Sequence, residues 1–84
     1  MPVQKLFLPL DLVTPLPLYC NTITRGAIWR IGTFLQNGEL IYFVQSRKKA
    51  SISWSSTNGN EVISAHTALE DAMFSLGKHL ENLT

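Results

Sequence analysis

The sequence predicts an α+β fold, in which an antiparallel β-meander of three or four strands packs on one C-terminal α-helix behind an extended Pro/Leu-rich N-terminal arm. Three observations lead to this prediction. Asn37-Gly38 and Asn58-Gly59 each lie between apolar stretches, and Asn-Gly favours tight hairpin turns because both turn positions need positive φ. The C-terminal segment repeats apolar residues at helical spacing. The N-terminal segment is rich in leucine but broken by prolines.

Residues 1–20 form the predicted arm, and residues 21–84 form the predicted single domain. Leucines alternate along the arm at Leu8, Leu10 and Leu12, which is the period of an extended chain with one apolar face. The prolines cannot donate the hydrogen bonds of a central strand. We therefore expect the arm either to lie over the core of its own domain or to reach another subunit or partner by pairing with a strand edge.

The first hairpin divides its side chains into two faces. If Asn37-Gly38 is a two-residue turn, Gln36 pairs with Glu39 and the register follows. The first face is the better core and holds Trp29, Ile31, Thr33, Leu35, Leu40, Tyr42 and Val44. The second face holds Ile28, Arg30, Gly32, Phe34, Ile41, Phe43, Gln45 and Arg47. In this register the Phe43 ring covers Gly32.

A further strand is predicted after the basic connection at residues 47–49. Ile52 and Trp54 alternate with serines, which is typical of a half-buried strand. Asn58-Gly59 then predicts a second hairpin, with Trp54 opposite Ile63. The register across residues 47–49 stays open, because a slip of one residue turns every side chain to the other face.

The last element is a helix predicted over about residues 67–83. Thr67 and Glu70 have the spacing of a capping box. The apolar stripe consists of Leu69, Ala72, Met73, Leu76, Leu80 and Leu83. Gly77 lies at the border of the stripe, where it would permit close approach to the sheet. Phe74 lies on the polar side of the helix, so we expect the arm or a partner to cover it.

The composition excludes several classes of protein. A chain of 84 residues that is 45% hydrophobic with a net charge of +1 is one small domain, and neither a disordered chain nor a strongly basic nucleic-acid coat. The single cysteine, Cys20, excludes an intramolecular disulfide framework. No apolar run approaches the length of a membrane span, and the proline-broken N-terminus does not fit a signal peptide. We therefore expect a cytoplasmic protein that does not bind membranes.

The residues that could carry chemistry do not form a catalytic or metal-binding motif. Cys20, His66 and His79 lie far apart in the sequence, without the spacing of a zinc site or the context of an activated nucleophile. No glycine-rich phosphate loop precedes a helix. We therefore expect no enzymatic activity, no metal and no cofactor.

The leading functional hypothesis is a small non-catalytic binding or regulatory protein that acts by occupying a partner protein's surface, as inhibitors and adaptors from phages and mobile elements do. One helix covers one face of a sheet, so the other face is left for the arm, a protein partner or a second copy in a homodimer. The predicted partner-binding residues are Phe34, Ile41, Phe43, Phe74, Leu8, Leu10 and Leu12.

The alternative is a nucleic-acid-binding domain that uses the second sheet face and the loop at residues 47–49. Phosphates would be bound by Arg30, Arg47, Lys48 and Lys49. Phe43 is the candidate for stacking on a base.

Residues 25–83 contain Trp29, the Asn37-Gly38 turn, the basic stretch at 47–49, and Thr67, Glu70 and Ala72 at the start of the last helix. In these features this part of the chain resembles the arm-binding domains of tyrosine recombinases. The resemblance implies strands laid into a DNA groove.

Overall fold

Four antiparallel strands and one helix form the domain, in agreement with the predicted fold class. The computed structural model describes residues 16–17 and 19–83. The elements are β1 (Asn21–Arg25), β2 (Trp29–Gln36), β3 (Glu39–Arg47), β4 (Asn60–His66) and α1 (Leu69–Asn82). The strands lie in the sheet in chain order, each antiparallel to the next. No helix in the described part of the chain is long and apolar enough to cross a membrane.

The β2–β3 hairpin has the predicted turn and register. Asn37 and Gly38 both adopt positive φ, at 53° and 81°, as a two-residue hairpin turn requires. Gln36 pairs with Glu39, and Phe43 lies opposite Gly32. The apolar run at residues 23–35 is nevertheless two strands, because a connection at residues 26–28 separates β1 from β2.

Residues 48–59 form a loop, so the predicted strand through Ile52 and Trp54 is wrong. The serines supply the physical reason, because their hydroxyls satisfy nearby backbone groups that a strand would need for its ladder. Ser53 Oγ accepts from the backbone N–H of Ser55 at 3.2 Å, and Ser56 Oγ accepts from that of Asn58 at 3.2 Å.

The predicted second hairpin is therefore wrong as well. β4 pairs with β3 instead of with a strand through Trp54, and Ala65 lies opposite Phe43. The pairing contains a bulge, since Ser64 faces Val44 while Val62 faces Gln45. The extra residue, Ile63, packs on the helix side of the sheet, and Val62 packs on the other side.

α1 begins two residues later than predicted and without the capping box. Its N-cap is Ala68, with no side-chain hydrogen bond to the helix end. β4 continues to His66, so Thr67 belongs to the connection. Glu70 and Asp71 still lie in the first turn, where negative charge is favourable.

The buried face of α1 is rotated from the predicted stripe. Ala72 and Leu76 are buried, but Met73 and Leu83 are exposed. On the other border of the face, Ser75 Oγ lies 2.6 Å from Ser64 Oγ on β4, and this hydrogen bond holds the Ser75 side of the helix against the sheet. Gly77 has nothing within 4 Å of an added Cβ, so its expected role in close approach is also wrong.

Both faces of the sheet carry a core cluster. On the helix side, Ile31 and Val44 are buried against Ala72 and Leu76. Leu35 and Leu40, which were expected in this core, are exposed next to the hairpin turn. On the other side the buried cluster is Phe34, Ile41, Phe43 and Ala65, with Leu16, Cys20 and Val62 packed against it.

The second cluster shows what part of the predicted arm does. Leu16 and Cys20 belong to residues 1–20 and pack on the sheet of their own chain. The second face is thus covered, at least in part, by the segment that precedes β1. Leu8, Leu10 and Leu12 lie outside the described residues.

We predict that Gly32→Ala lowers the free energy of unfolding by about 1–3 kcal/mol, as overpacking in a core does. A Cβ at this position would lie 2.8 Å from Phe43 Cε1 and 2.9 Å from the backbone oxygen of Asn21. Urea unfolding monitored by circular dichroism measures the change.

Gly77→Ala is the matched control for that experiment. Nothing surrounds an added Cβ there, so the higher helix propensity of alanine should stabilise the protein by up to about 1 kcal/mol. Equal effects of the two substitutions would contradict the close packing of Phe43 on Gly32.

Candidate functional site

The predicted partner-binding residues fall into two groups in the structure. Phe34, Ile41 and Phe43 have exposed fractions of 5%, 3% and 0% and belong to the core of the second face. Phe74 is 69% exposed on α1. Of the predicted set, therefore, Phe74 is the described residue that a partner reaches without rearrangement of the core.

The predicted nucleic-acid-binding residues are also divided. Arg30 and Phe43 are buried. Arg47 donates from Nε to the carbonyl of Ala27 at 2.8 Å and from Nη1 to that of Ile52 at 2.7 Å. Its guanidinium therefore holds the 48–59 loop against the connection between β1 and β2. Lys48 and Lys49 remain exposed cations.

The outer side of α1 presents Phe74 together with Met73. Both side chains are exposed, while Ala72 and Leu76 on the same helix are buried. Lys78 lies one turn after Phe74, and its Nζ is 5.8 Å from the centre of the ring. Glu70 lies one turn before Phe74 on the same side of the helix. We call this set, consisting of Glu70, Met73, Phe74 and Lys78, the outer α1 surface.

A buried cation lies on the opposite face of the sheet. The side chain of Arg30 is only 8% exposed, and it donates from Nε to Gln45 Oε1 at 2.7 Å and from Nη1 to Thr22 Oγ1 at 2.7 Å. Its guanidinium lies 5.2 Å from the centre of the Phe43 ring and 5.1 Å from that of Trp54. Such contacts partly replace the hydration that a buried cation loses.

Trp54 connects this cation to the 48–59 loop. Its ring also lies 4.0 Å from the guanidinium carbon of Arg47, and its backbone carbonyl accepts from Gln45 Nε2 at 3.3 Å. One tryptophan thereby contacts two guanidinium groups. The sequence did not reveal this arrangement, because the serine alternation suggested a strand, although the hairpin register did place Arg30 opposite Gln45.

Beside Arg30 and Trp54 lies an open cavity of about 1060 Å³. It is lined by Leu16, Pro17, Cys20, Arg30, Gln45, Ser53, Trp54, Ser55, Ser56, Thr57, Asn60, Glu61 and Val62. The residues before β1, the 48–59 loop and the first residues of β4 thus surround a volume large enough for a small organic molecule.

Cys20 lines this cavity as a protonated thiol. Its Sγ donates to the carbonyl of Pro17 at 3.0 Å. Burial raises the pKa of the thiol, and the nearby positive charge of Arg30 offsets only part of that rise. A thiol with a raised pKa is a poor nucleophile at neutral pH.

His66 lies between β4 and α1 in a hydrogen-bonded chain. Its Nε2 is 2.8 Å from Ser64 Oγ, which is 2.6 Å from Ser75 Oγ. Burial lowers the pKa of His66, and Asp71 partly opposes this effect. Among residues 16–17 and 19–83, no three His, Cys, Asp or Glu side chains come together as metal ligands would.

No family model, no curated protein and no solved structure matches this chain. The resemblance of residues 25–83 to the arm-binding domains of tyrosine recombinases therefore stays an expectation from the sequence.

We predict that the free energy of unfolding decreases as the pH falls from about 7.5 to about 5.5. The pKa of His66 in the folded protein is lower than its ordinary value of 6.5. The unfolded chain therefore binds a proton at a higher pH than the folded protein does, and protonation favours unfolding. The contribution of neutral His66 to the free energy of unfolding is therefore fully present above pH 6.5 and is lost as the pH falls towards the pKa of the folded state. Urea unfolding at both pH values measures it.

His66→Gln is the control variant, because glutamine keeps a polar group near Ser64 without titrating in this range. Its stability should change less between the two pH values than that of the wild type. An identical pH dependence in both proteins would show that His66 is not the responsible group.

We predict that Trp54→Ala destabilises the protein by about 2 kcal/mol, less than the loss of a fully buried tryptophan. The ring contacts two guanidinium groups, so its removal should also speed amide hydrogen exchange at Lys48 and Ile52, whose N–H groups bond within the loop. Lys49→Ala is an exposed change in the same loop. It should alter the free energy of unfolding by less than about 0.5 kcal/mol and leave the exchange rates of the two amides unchanged.

Proposed function

We propose that the protein is a non-catalytic binding protein that acts by occupying the surface of a partner protein through the outer α1 surface. The observation that carries this proposal is the pair Met73 and Phe74, which are 57% and 69% exposed next to each other on a helix anchored by its other face. Aromatic and methionine side chains are enriched in protein interfaces, and a helix with exposed apolar anchors fits a groove in a partner.

The charges near Phe74 indicate the chemistry of the partner. Glu70 and Asp71 place carboxylates in the first turn of the helix, and Lys78 contacts the Phe74 ring. The complementary surface is an apolar groove with basic residues along the rim that meets the N-terminal half of α1.

The groups that acid–base or nucleophilic chemistry would use are engaged in packing, which supports a non-catalytic role. Ser64 and His66 bond to each other, and Ser64 also bonds to Ser75 on α1. Burial keeps the Cys20 thiol protonated. Formation of a homodimer, a regulatory or inhibitory effect on the partner, and a cytoplasmic location belong to the same proposal.

Nucleic-acid binding is the second candidate, and it rests on Lys48 and Lys49, which are exposed next to each other in the 48–59 loop. The burial of Arg30 and Phe43 removes two of the residues that this hypothesis would use. Two lysines alone neutralise few phosphates, and the net charge is +1.

Photocrosslinking from two positions tests the proposal. A benzophenone amino acid replaces Phe74 in one variant and Leu35 in the other, because Leu35 is a similarly exposed apolar residue at the far end of the hairpin. We expect a defined protein adduct from position 74 in extracts of the source cells. Unlabelled wild-type protein should compete with its formation, and unlabelled Phe74→Ser protein should not. An adduct with a second copy of the chain supports the homodimer.

The same adducts from both positions, or none that the wild type displaces, would contradict the proposal. Nucleic-acid binding is tested separately with Lys48→Glu/Lys49→Glu. Binding to DNA or RNA that weakens steeply with salt and disappears in this double variant would favour the second candidate.

We predict that Phe74→Ser abolishes binding of the protein that crosslinks to position 74. The substitution should change the free energy of unfolding by less than about 0.5 kcal/mol. The side chain is exposed and is not part of either core cluster. Leu35→Ser serves as the control and should keep binding. Calorimetric titration against the isolated partner, together with urea unfolding, measures both quantities.

A further inference from the structure

The strongest unexplained feature outside the outer α1 surface is the charge of Arg30. Arg30 as a whole residue is 8% exposed, and withdrawing a guanidinium from water is costly unless an anion or several acceptors compensate it. Burial is the main cause that lowers its pKa. The interaction with Cys20 opposes this effect, and the nearby charge of Arg47 adds to it. No carboxylate forms an ion pair with Arg30 among the residues that the structure describes.

The described neighbours of Arg30 satisfy only part of the group. Gln45 accepts from Nε and Thr22 accepts from Nη1, while the rings of Phe43 and Trp54 contact the guanidinium. Nη2 has no acceptor in the described part of the chain, although an arginine carries five N–H donors in a fixed fork.

The cavity next to this group has both polar and apolar lining residues. Ser56, Thr57 and Asn60 contribute hydroxyl and amide groups. Leu16 and Val62 contribute apolar surface. A cavity of this composition accommodates a ligand that has an apolar body and a polar head.

We propose that this cavity is a binding site for a small organic carboxylate, whose carboxylate group pairs with Arg30 and whose apolar body lies against Leu16 and Val62. The pairing supplies the anion that the buried guanidinium lacks among the described residues. Trp54 forms part of the wall and also contacts Arg30, so it reports directly on occupancy.

A carboxylate fits this site better than a phosphate. Its planar oxygens match the free donors of one guanidinium group, whereas a phosphate dianion requires more donors and more positive charge. Arg47 is already engaged by the carbonyls of Ala27 and Ile52. Glu61 also lines the cavity, and its negative charge opposes a dianion more strongly than a monoanion.

This inference does not depend on the proposed function. The outer α1 surface belongs to the helix that covers one face of the sheet, and the cavity lies beside the other face. A substitution that abolishes binding at one of these two places therefore leaves binding at the other measurable.

The test is a titration of the ¹⁵N-labelled full-length chain followed by the indole N–H signals of its two tryptophans. Trp54 lines the cavity, and Trp29 packs on the helix side of the sheet and serves as an internal control. The probes are benzoate, N-acetylphenylalanine, benzyl alcohol and inorganic phosphate, each at matched ionic strength. Benzoate represents a free acid, and N-acetylphenylalanine represents the carboxyl end of a peptide.

We expect a saturable shift of the Trp54 signal, and not of the Trp29 signal, with one or both carboxylates. The tighter of the two identifies the source of the ligand. Binding of benzyl alcohol and of phosphate should be weaker by about tenfold or more, which corresponds to the loss of a charge-assisted hydrogen bond. Arg30→Met, which keeps an unbranched side chain beside the two rings, should lose carboxylate binding, and the unchanged Trp29 signal will show that it is folded.

If Arg30→Met does not fold, the affinities of the wild type for the carboxylates and for benzyl alcohol still test the proposal. No saturable shift, or equal affinity for benzyl alcohol and benzoate, would overturn the proposal. Tighter binding of phosphate would overturn the choice of ligand class, and loss of binding in Lys48→Glu/Lys49→Glu would place the anion on the surface instead.

Discussion

The contact of the Arg30 guanidinium with the rings of Phe43 and Trp54 is the interaction on which the second face of the sheet depends. It connects β2 to β3 through Phe43 and Gln45, to β1 through Thr22, and to the 48–59 loop through Trp54. A long segment without regular structure is thereby fixed to the sheet by side chains rather than by ladder hydrogen bonds. The cation keeps favourable contacts in a place where water is largely excluded.

Gly32 makes this arrangement possible. The Phe43 ring occupies the space that a side chain at position 32 would fill, and the same ring contacts the guanidinium of Arg30. The sheet consequently carries a core on both faces. α1 covers one of them, and Leu16 and Cys20 before β1 pack against the other. In a chain of 84 residues, this arrangement buries apolar area that a single-sided sheet would expose.

The two faces also differ in the kind of recognition they favour. The outer α1 surface presents exposed apolar side chains near acidic residues, which suits a groove on a protein. The opposite side presents a single buried cation at the edge of a cavity, which suits one anionic group. Arg30 and Arg47 are both engaged by groups within the fold, so Lys48 and Lys49 are the exposed cations among the four residues of the nucleic-acid hypothesis.

Local chemistry determined much of the fold from the sequence itself. Asn37-Gly38 fixed the register of the β2–β3 hairpin. Both residues adopt the positive φ that a two-residue turn needs, and such a turn pairs Gln36 with Glu39. The helical spacing of Leu69, Leu76 and Leu80 determined that α1 packs on a sheet, and the register alone placed Arg30 opposite Gln45. These features depend on residues close together in the sequence or paired through one turn.

The tertiary structure decided the rest. The sequence could not show whether the serines around Trp54 would bond to a neighbouring strand or to their own loop, because both satisfy the same hydroxyl and backbone groups. It could not show which apolar face would be covered, since burial of Phe34 and Phe43 depends on residues that are distant in the chain, such as Leu16 and Val62. The cavity beside Arg30 exists only where three such segments meet, and so it is a property of the packing and not of any one stretch of sequence.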